Sequence, residues 1–483
     1  MKPLIRSEKT VVLLKTIGNL SVMKSSDLKL GEMASRQYRV LSLYSGAMGL
    51  DIGMHQTGCF RLLACVEKVP AFCDTIRRNR DAGLFGQQPF EIFEADMSEL
   101  DPIQIMADLG LKRGELDLLV GGPPCQSFST TGKRATVQDP RGTQLWNFLR
   151  FVEALQPKAF LMENVRGLMS AALQHRPLCV RPDKGGTPLD ENEQPGSVIR
   201  EFLRDLHDEY RVDCFEVNAV NYGAPQLRER AIFIGNRFHQ VADFLEPTHG
   251  HELPRIRDLF SDAEENPPLK PFRTLGDALA GLREEKPVVL DFSPRKKRYL
   301  SMVPPGGNWR SLPEEIARES MGKAFIAKGG RSGWWRRLSL DLPCPTIVTM
   351  PNHASTALCH PTETRALTLR ECARVQEFPD EWQFSGTPLE QYTQVGNAVP
   401  VRLGRVCGET AATLLDQIQA CDSVRAAGDT PPCRVVYLKS HVRTRQWFKQ
   451  GQTFLWQDGD SNELVKYGPA KTKKKVRPLG KGR

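Results

Sequence analysis

The sequence predicts an α/β fold built on a parallel, doubly wound sheet. Two observations carry this. From Tyr38 to Val165, short apolar runs alternate with longer helix-patterned stretches, as in strands joined by crossover helices. Several runs also end at a chemically distinctive residue (Glu67, Asp96, Glu163) or a Gly-Pro loop after Val120. Strand ends of this kind are where open α/β sheets bind their ligands.

Tyr38–Tyr44 (YRVLSLY) reads as the first buried strand and runs into the glycine-bearing segment SGAMGLDIG. Arg61–Val66 is a second strand ending at Glu67, with a helix-like stretch to Asn79. Glu91–Glu94 is a short strand ending near Asp96. Leu116–Val120, a loop holding Cys125, a helix over Gln144–Leu155 and the run Ala159–Val165 follow. Residues 177–197, rich in Pro, Gly and charge, read as a loop before a helix at Val198–Glu209. Strand-like runs at Cys214–Val220 and Ala231–Gly235 flank NYGAPQLRER. From about 238 to 366 the alternation dissolves into short segments, prolines and basic residues, as in a separate, less regular domain. Helical pattern returns at Leu369–Phe378 and Val401–Ala420, and Gly428–Pro432 (GDTPP) reads as a linker.

A chain of 483 residues is long enough for two or three domains. Its hydrophobic content of 40% is ordinary for a soluble protein, and no apolar run approaches the ~18 residues of a membrane span. The N-terminal segment MKPLIRSEKTVVLLKTIGNL reads as neither signal peptide nor anchor. The 12 cysteines form no CxxC pair and no His/Cys cluster at metal spacing, so reduced thiols, no metal and a cytoplasmic location are expected. The net charge of +9 is uneven: residues 434–483 hold 13 Lys/Arg against 3 Asp/Glu, while the rest holds 53 against 54. A basic tail suggests a polyanionic partner or a solvated solubility segment.

Gly121–Ser129 (GGPPCQSFS) is the most informative stretch. Prolines fix φ and glycines admit a close ligand, so the loop would present the Cys125 thiol rigidly. A lone cysteine is ordinarily a small buried hydrophobe. Here a second apolar run ends in a carboxylate, Glu163 of Glu163-Asn164-Val165, and a rigid thiol with a strand-end acid suggests a nucleophile and an acid.

Together PPCQ and ENV resemble the DNA (cytosine-5)-methyltransferase family, over about 39–237 and 367–415. The resemblance implies an S-adenosylmethionine-dependent methyltransferase fold with an inserted target-recognition domain. YSGAMGLDIG resembles the family's first motif, in which Gly46 and Gly49 would admit the cofactor's methionine moiety and Tyr44 would line the adenosine side. Met48 stands where glycine is common, and Lys68 where an aromatic residue is common. Glu67 would hold the ribose hydroxyls, Asp96 would accept from the adenine amino group, and Pro123 would border the cofactor. Cys125 would attack cytosine C6, and Glu163, with a raised carboxyl pKa in a closed, base-filled pocket, would donate at N3. PQLRER resembles QxRxR: Arg230 would contact the cytosine O2, and Arg228 would help hold the pocket or a phosphate. TQVGNAVPVRLG resembles the last motif, with Asn397 beside the cofactor and its helix folded back on the first motif. LTLRECARVQEFPD resembles the mainly structural penultimate motif.

The domain boundaries implied are an extension at 1–36, a catalytic domain at 37–237, a target-recognition domain at 238–366, completion of the catalytic domain at 367–425 and a basic tail at 426–483. Residues 294–337 hold eleven Lys/Arg and three Glu, interleaved with Tyr299, Trp309, Trp334 and Trp335, a composition suited to duplex DNA. The expected partner is double-stranded DNA, from which the target cytosine would be flipped. The chain is expected to be a monomer, paired with a restriction enzyme or standing alone. A tRNA methyltransferase of the same chemistry and a catalytically silent DNA-binding regulator stay open as alternatives.

Overall fold

The strands arise where the apolar runs are, and a helix fills most of the intervals between them. The computed structural model describes residues 37–87, 89–124, 144–174, 176–177, 180–206, 209–250, 269–326, 331–420 and 433–437. In chain order the catalytic half contains β1 (Tyr38–Leu43), α1 (Gly49–His55), β2 (Phe60–Glu67), α2 (Pro70–Asp81), β3 (Leu84–Gln87), β4 (Glu91–Glu94), α3 (Pro102–Asp108), β5 (Leu118–Gly121), α4 (Gln144–Leu155), β6 (Ala159–Val165), α5 (Ser197–Leu206), β7 (Arg211–Asn218), β8 (Gln226–Leu227) and β9 (Glu229–Asn236). Then come α6 (Leu275–Leu279), α7 (Pro294–Leu300), α8 (Glu314–Met321), β10 (Cys344–Pro345), α9 (Leu369–Val375), α10 (Pro388–Asn397), α11 (Val401–Gln419) and β11 (Cys433–Tyr437).

Eight strands form one sheet in the order β11-β7-β9-β6-β5-β1-β2-β4. The expectation of an all-parallel sheet is corrected at one strand: β9 runs antiparallel to both β6 and β7. The link from Asn218 to Glu229 is shorter than the dozen or more residues a parallel crossover needs, so the chain returns as a hairpin. At the far edge β11 pairs parallel with β7, which brings part of the stretch expected as basic tail into the sheet.

Both sheet faces are covered, so the inner strands are apolar at nearly every position. Alternate residues serve opposite faces. Phe160 and Met162 of β6 join a core with Phe148 and Phe151 of α4 and Phe202 of α5. Ala159 and Leu161 join the other core, with Leu403 and Leu415 of α11. Glu163 and, on β9, Ile232 and Arg230 fall on this second face.

Residues 238–366 do not behave as one separate unit. Ala242 and Phe244 pack on the second sheet core. Leu275, Ala278, Cys344 and Ile347 share a cluster with Cys372, Trp382 and Tyr392, and β10 pairs with β8. A separate cluster draws on Phe292, Tyr299, Leu300, Met321 and Trp335 together with Ala357, Cys359 and Ala366. Among the described residues no helix is long and apolar enough to cross a membrane, and no group of three or more His, Cys, Asp or Glu is placed to hold a metal ion.

Candidate active site

The carboxyl ends of the parallel strands carry the polar residues. Glu67, the last residue of β2, turns its carboxylate back under the loop after β1. Its Oε2 accepts from Gly46 N at 2.9 Å, and its Oε1 accepts from Lys68 N and Val69 N, each at 2.9 Å. Burial pushes this carboxyl up from its ordinary range, and the three backbone donors pull against it. Oε2 keeps a lone pair for a further donor. Asp96, just past β4, takes the opposite direction. Its Oδ1 accepts from Ser98 N at 2.9 Å and Ser98 Oγ at 2.7 Å, which lowers its carboxyl to about 2. Lys68 Nζ lies 3.3 Å from its Oδ2. In place of a ring, then, this chain sets an exposed ammonium against Asp96.

The loop between β1 and α1 is shaped by three left-handed residues, Tyr44 (φ 57°), Gly46 (φ 54°) and Met48 (φ 64°). Two of them are not glycine, so the loop stores strain. Met48, fully buried, tolerates the conformation because its amide donates to Ser45 O and its carbonyl accepts from Ile52 N. A Cβ at Gly46 would meet nothing nearer than Tyr44 O at 4.0 Å, so this side of the loop is open to a ligand. Gly49 is different. A Cβ there would lie 2.1 Å from Val399 O, so its missing side chain admits the chain just before α11. Gly53 does the same for Val401 O, at 2.2 Å. Thus α11 folds against α1 through backbone contact. The Tyr44 hydroxyl, half-buried, reaches Gln144 at the start of α4, within 2.9 Å of both its carbonyl and Oε1.

The second group of residues surrounds the end of β6. Arg230 Nε lies 2.5 Å from Glu163 Oε1, and both side chains are about nine-tenths buried. The sheet register explains the pairing: Glu163 stands opposite Ile232, so Arg230 is its diagonal neighbour on one face. The Nε–H is not directed at the carboxylate, and Arg230 Nη1 donates to Glu229 O at 2.8 Å. A Cβ at Gly122 would come within 3.1 Å of Glu163 Oε2, so the Gly-Pro-Pro turn after β5 runs directly past this acid. Pro123 is buried, and its carbonyl accepts from Asn164 Nδ2 at 3.1 Å. Cys125 lies outside the described residues, one position beyond Pro124.

Arg228 is fully buried and donates to three carbonyls: Nη1 to Ile347 at 3.0 Å, and Nη2 to Gly396 at 3.0 Å and Asn397 at 3.3 Å. It ties β8 to the insert's return and to the end of α10. Burial and the nearby Arg230 charge lower its pKa. A phosphate could not reach this side chain, while holding the pocket together fits its contacts. Asn397 closes α10 with its side chain exposed.

Four further residues carry no assigned role in the sequence. Asn164 sits inside the ENV signal, yet its grip on Pro123 needs β5 and β6 paired. Gln226 and Gln376 form a buried amide node: Gln226 Nε2 donates to Gln376 Oε1 at 2.6 Å, and Gln376 Nε2 to Val395 O at 2.6 Å. Asp51 of α1 is buried.

Comparison with known proteins places the chain in a family. The model of the C-5 cytosine-specific DNA methylases matches residues 38–412. The chain is similar to the Type II methyltransferase M.Eco47II of Escherichia coli, 34% identical over 80% of this chain and 82% of that one. It is also similar to the Type II methyltransferase M.PspPI of a Psychrobacter strain, 36% identical over 79% and 80% of the two chains. The fold resembles the crystal structure of a DNA modification methyltransferase encoded within an E. coli prophage, with a TM-score of 0.51 and 23% identity, over 79% of this chain and all of that one. The chain belongs to the C-5 cytosine-specific DNA methylases and is a DNA cytosine-5 methyltransferase.

Proposed function

We propose that this enzyme methylates C5 of a cytosine flipped out of a short duplex DNA site, as the modification partner in a restriction–modification system. The observation that carries the chemistry is the Glu163–Arg230 pair beside Gly122, at the turn that leads to Cys125. The similarity to Type II methyltransferases favours the biological setting.

C5 of cytosine is a weak nucleophile. Attack of the Cys125 thiolate on C6 forms an S–C6 bond and moves the C5–C6 π pair toward C5. Glu163, carrying a proton, donates it at N3 as charge builds on the ring. Arg230 lies against the Glu163 carboxyl and would contact the base's O2. After methylation a water takes the C5 proton, the pair so released restores the C5–C6 double bond and expels the Cys125 thiolate, and the N3 proton returns to Glu163. Glu67 and the open side of Gly46 suit a ribose and a methionine moiety, and Asp96 suits an adenine amino group, so these residues would hold S-adenosylmethionine. When bound, it supplies the electrophilic methyl group. Pro123 and Asn397 would border that cofactor, and Tyr44 would flank it.

Bisulfite sequencing of plasmid DNA from a methylation-free host tests the reading, comparing wild type with Cys125→Ala and Glu163→Gln. Protected cytosines in one recurrent context with wild type alone are expected. Protection in tRNA instead of DNA would move the substrate to RNA, and none in either, with soluble protein, would leave a silent DNA-binding protein.

A further inference from the structure

The insert's own core carries a feature that the catalytic chemistry does not use. Trp309 stands under two guanidiniums: Arg310 Cζ lies 4.7 Å and Arg331 Cζ 5.0 Å from its ring centroid. The platform is fixed by backbone. Trp309 N donates to Trp334 O at 3.0 Å, and Arg310 N to Asn308 Oδ1 at 3.0 Å. Phe325 packs edge-on against Trp309 at 5.7 Å. The next residue, Ile326, is 76% exposed, more than any other large apolar side chain among the described residues.

The partners of these arginines separate them from ordinary surface cations. Arg318, stacked on Phe325, is tied to Glu314 by a 2.6 Å ion pair. Among the described residues Arg310 has no hydrogen bond or ion pair from its guanidinium, and Arg331 uses one nitrogen on Phe325 O. Among the described residues neither is neutralised by a carboxylate. A guanidinium laid on a ring loses little freedom on binding and keeps its planar N–H edge outward. That edge matches guanine O6 and N7 in a major groove, and an exposed apolar tip beside it suits a thymine methyl or a base step.

We propose that Arg310 and Arg331, held by Trp309, read guanine edges of the target duplex and so set which site is methylated. The inference rests on the duplex-DNA reading above. Phosphate contact alone would place the same charges but would not need the fork: lysine can serve a phosphate as a point charge, whereas at a guanine edge it gives up the planar two-point match.

The test uses full-length wild type, Arg310→Lys, Arg310→Ala and Arg331→Lys, with methylated cytosines mapped in cells and duplex binding measured against salt. Unchanged melting temperatures show that each variant is folded. The expected result is that each lysine variant lowers methylation of the wild-type site about five- to a hundredfold and relaxes choice at one guanine position. Lysine variants with wild-type rates and sites would overturn the proposal. So would an alanine variant whose loss is uniform across sequences with a salt slope reduced by about one, the mark of a phosphate contact. A wild type that methylates no DNA would overturn the functional reading and this one together. A wild type that methylates one site while Arg310→Lys keeps that site would overturn this one alone.

Discussion

Arg230 Nε sits 2.5 Å from Glu163 Oε1 across the seam where β6 and β9 run antiparallel. Two strands thereby deliver an acid and a cation to one point, beside the turn that leads to Cys125. Glu163→Gln should lower kcat about 10²- to 10⁴-fold, the range for a general acid. Arg230→Ala should cost about 10²- to 10³-fold. If the two act as a unit, the double variant falls well short of the product of the single effects. Single-turnover methylation of a duplex carrying the mapped site measures all three. Full multiplicativity would separate the pair.

Arg228 predicts a different outcome, because its three acceptors are backbone carbonyls. Arg228→Met should destabilise the protein by about 3 kcal/mol or more, through orphaned buried carbonyls. Arg228→Lys should not restore it, since an ammonium lacks the fork that spans Ile347, Gly396 and Asn397. Thermal melting of the two variants checks this. A lysine variant with wild-type stability would show that charge, and not shape, is what the site requires.

The helix pair α1–α11 has no room for one methyl group. At Gly53 a Cβ would lie 2.2 Å from Val401 O and 2.3 Å from Arg405 N. Gly53→Ala gains helix propensity of about 1 kcal/mol but should still lower stability by about 1–3 kcal/mol net, because backbone must move. Denaturant unfolding measures it, and a neutral or stabilising alanine would refute the contact.

Asp51 gives a pH dependence. Burial raises its carboxyl from 3.8 to about 6, against hydrogen bonding from Ser42. A raised acid contributes stability in full below its unfolded pKa and loses it as pH rises through the folded value. The loss should amount to about 3 kcal/mol across pH 4 to 6. Asp51→Asn removes this slope. Its melting temperature relative to wild type should climb with pH and level off above about pH 7. A constant difference would show that Asp51 does not titrate in this window.

The strand ends at Glu67 and Glu163 were legible in the sequence because an apolar run meets a carboxylate there. Arg230's place beside Glu163 was open to the period-two argument only once the two strands were known to pair. The direction of β9 was not foreseen, although the short Asn218–Glu229 link contained the signal. Helix α10 was missed despite its Thr387 cap, Pro388 and Glu390, which form a capping box. Gln226 and Gln376, 150 positions apart, and Asn164 with Pro123 follow no local pattern. Long-range packing alone brings such pairs together.

The close fit of Gly49 against the Val399 carbonyl also has a meaning in time. The ribosome makes the loop after β1 early and its brace some 350 residues later. During that interval α1 lacks the backbone contact of Val399 and Val401 behind Gly49 and Gly53. A nascent or prematurely terminated chain that stops short of Val399 therefore carries the cysteine, the acid and the glycine loop without the packing that holds the loop in place. The packing that fixes the turn after β1 is complete only once α11 has been made.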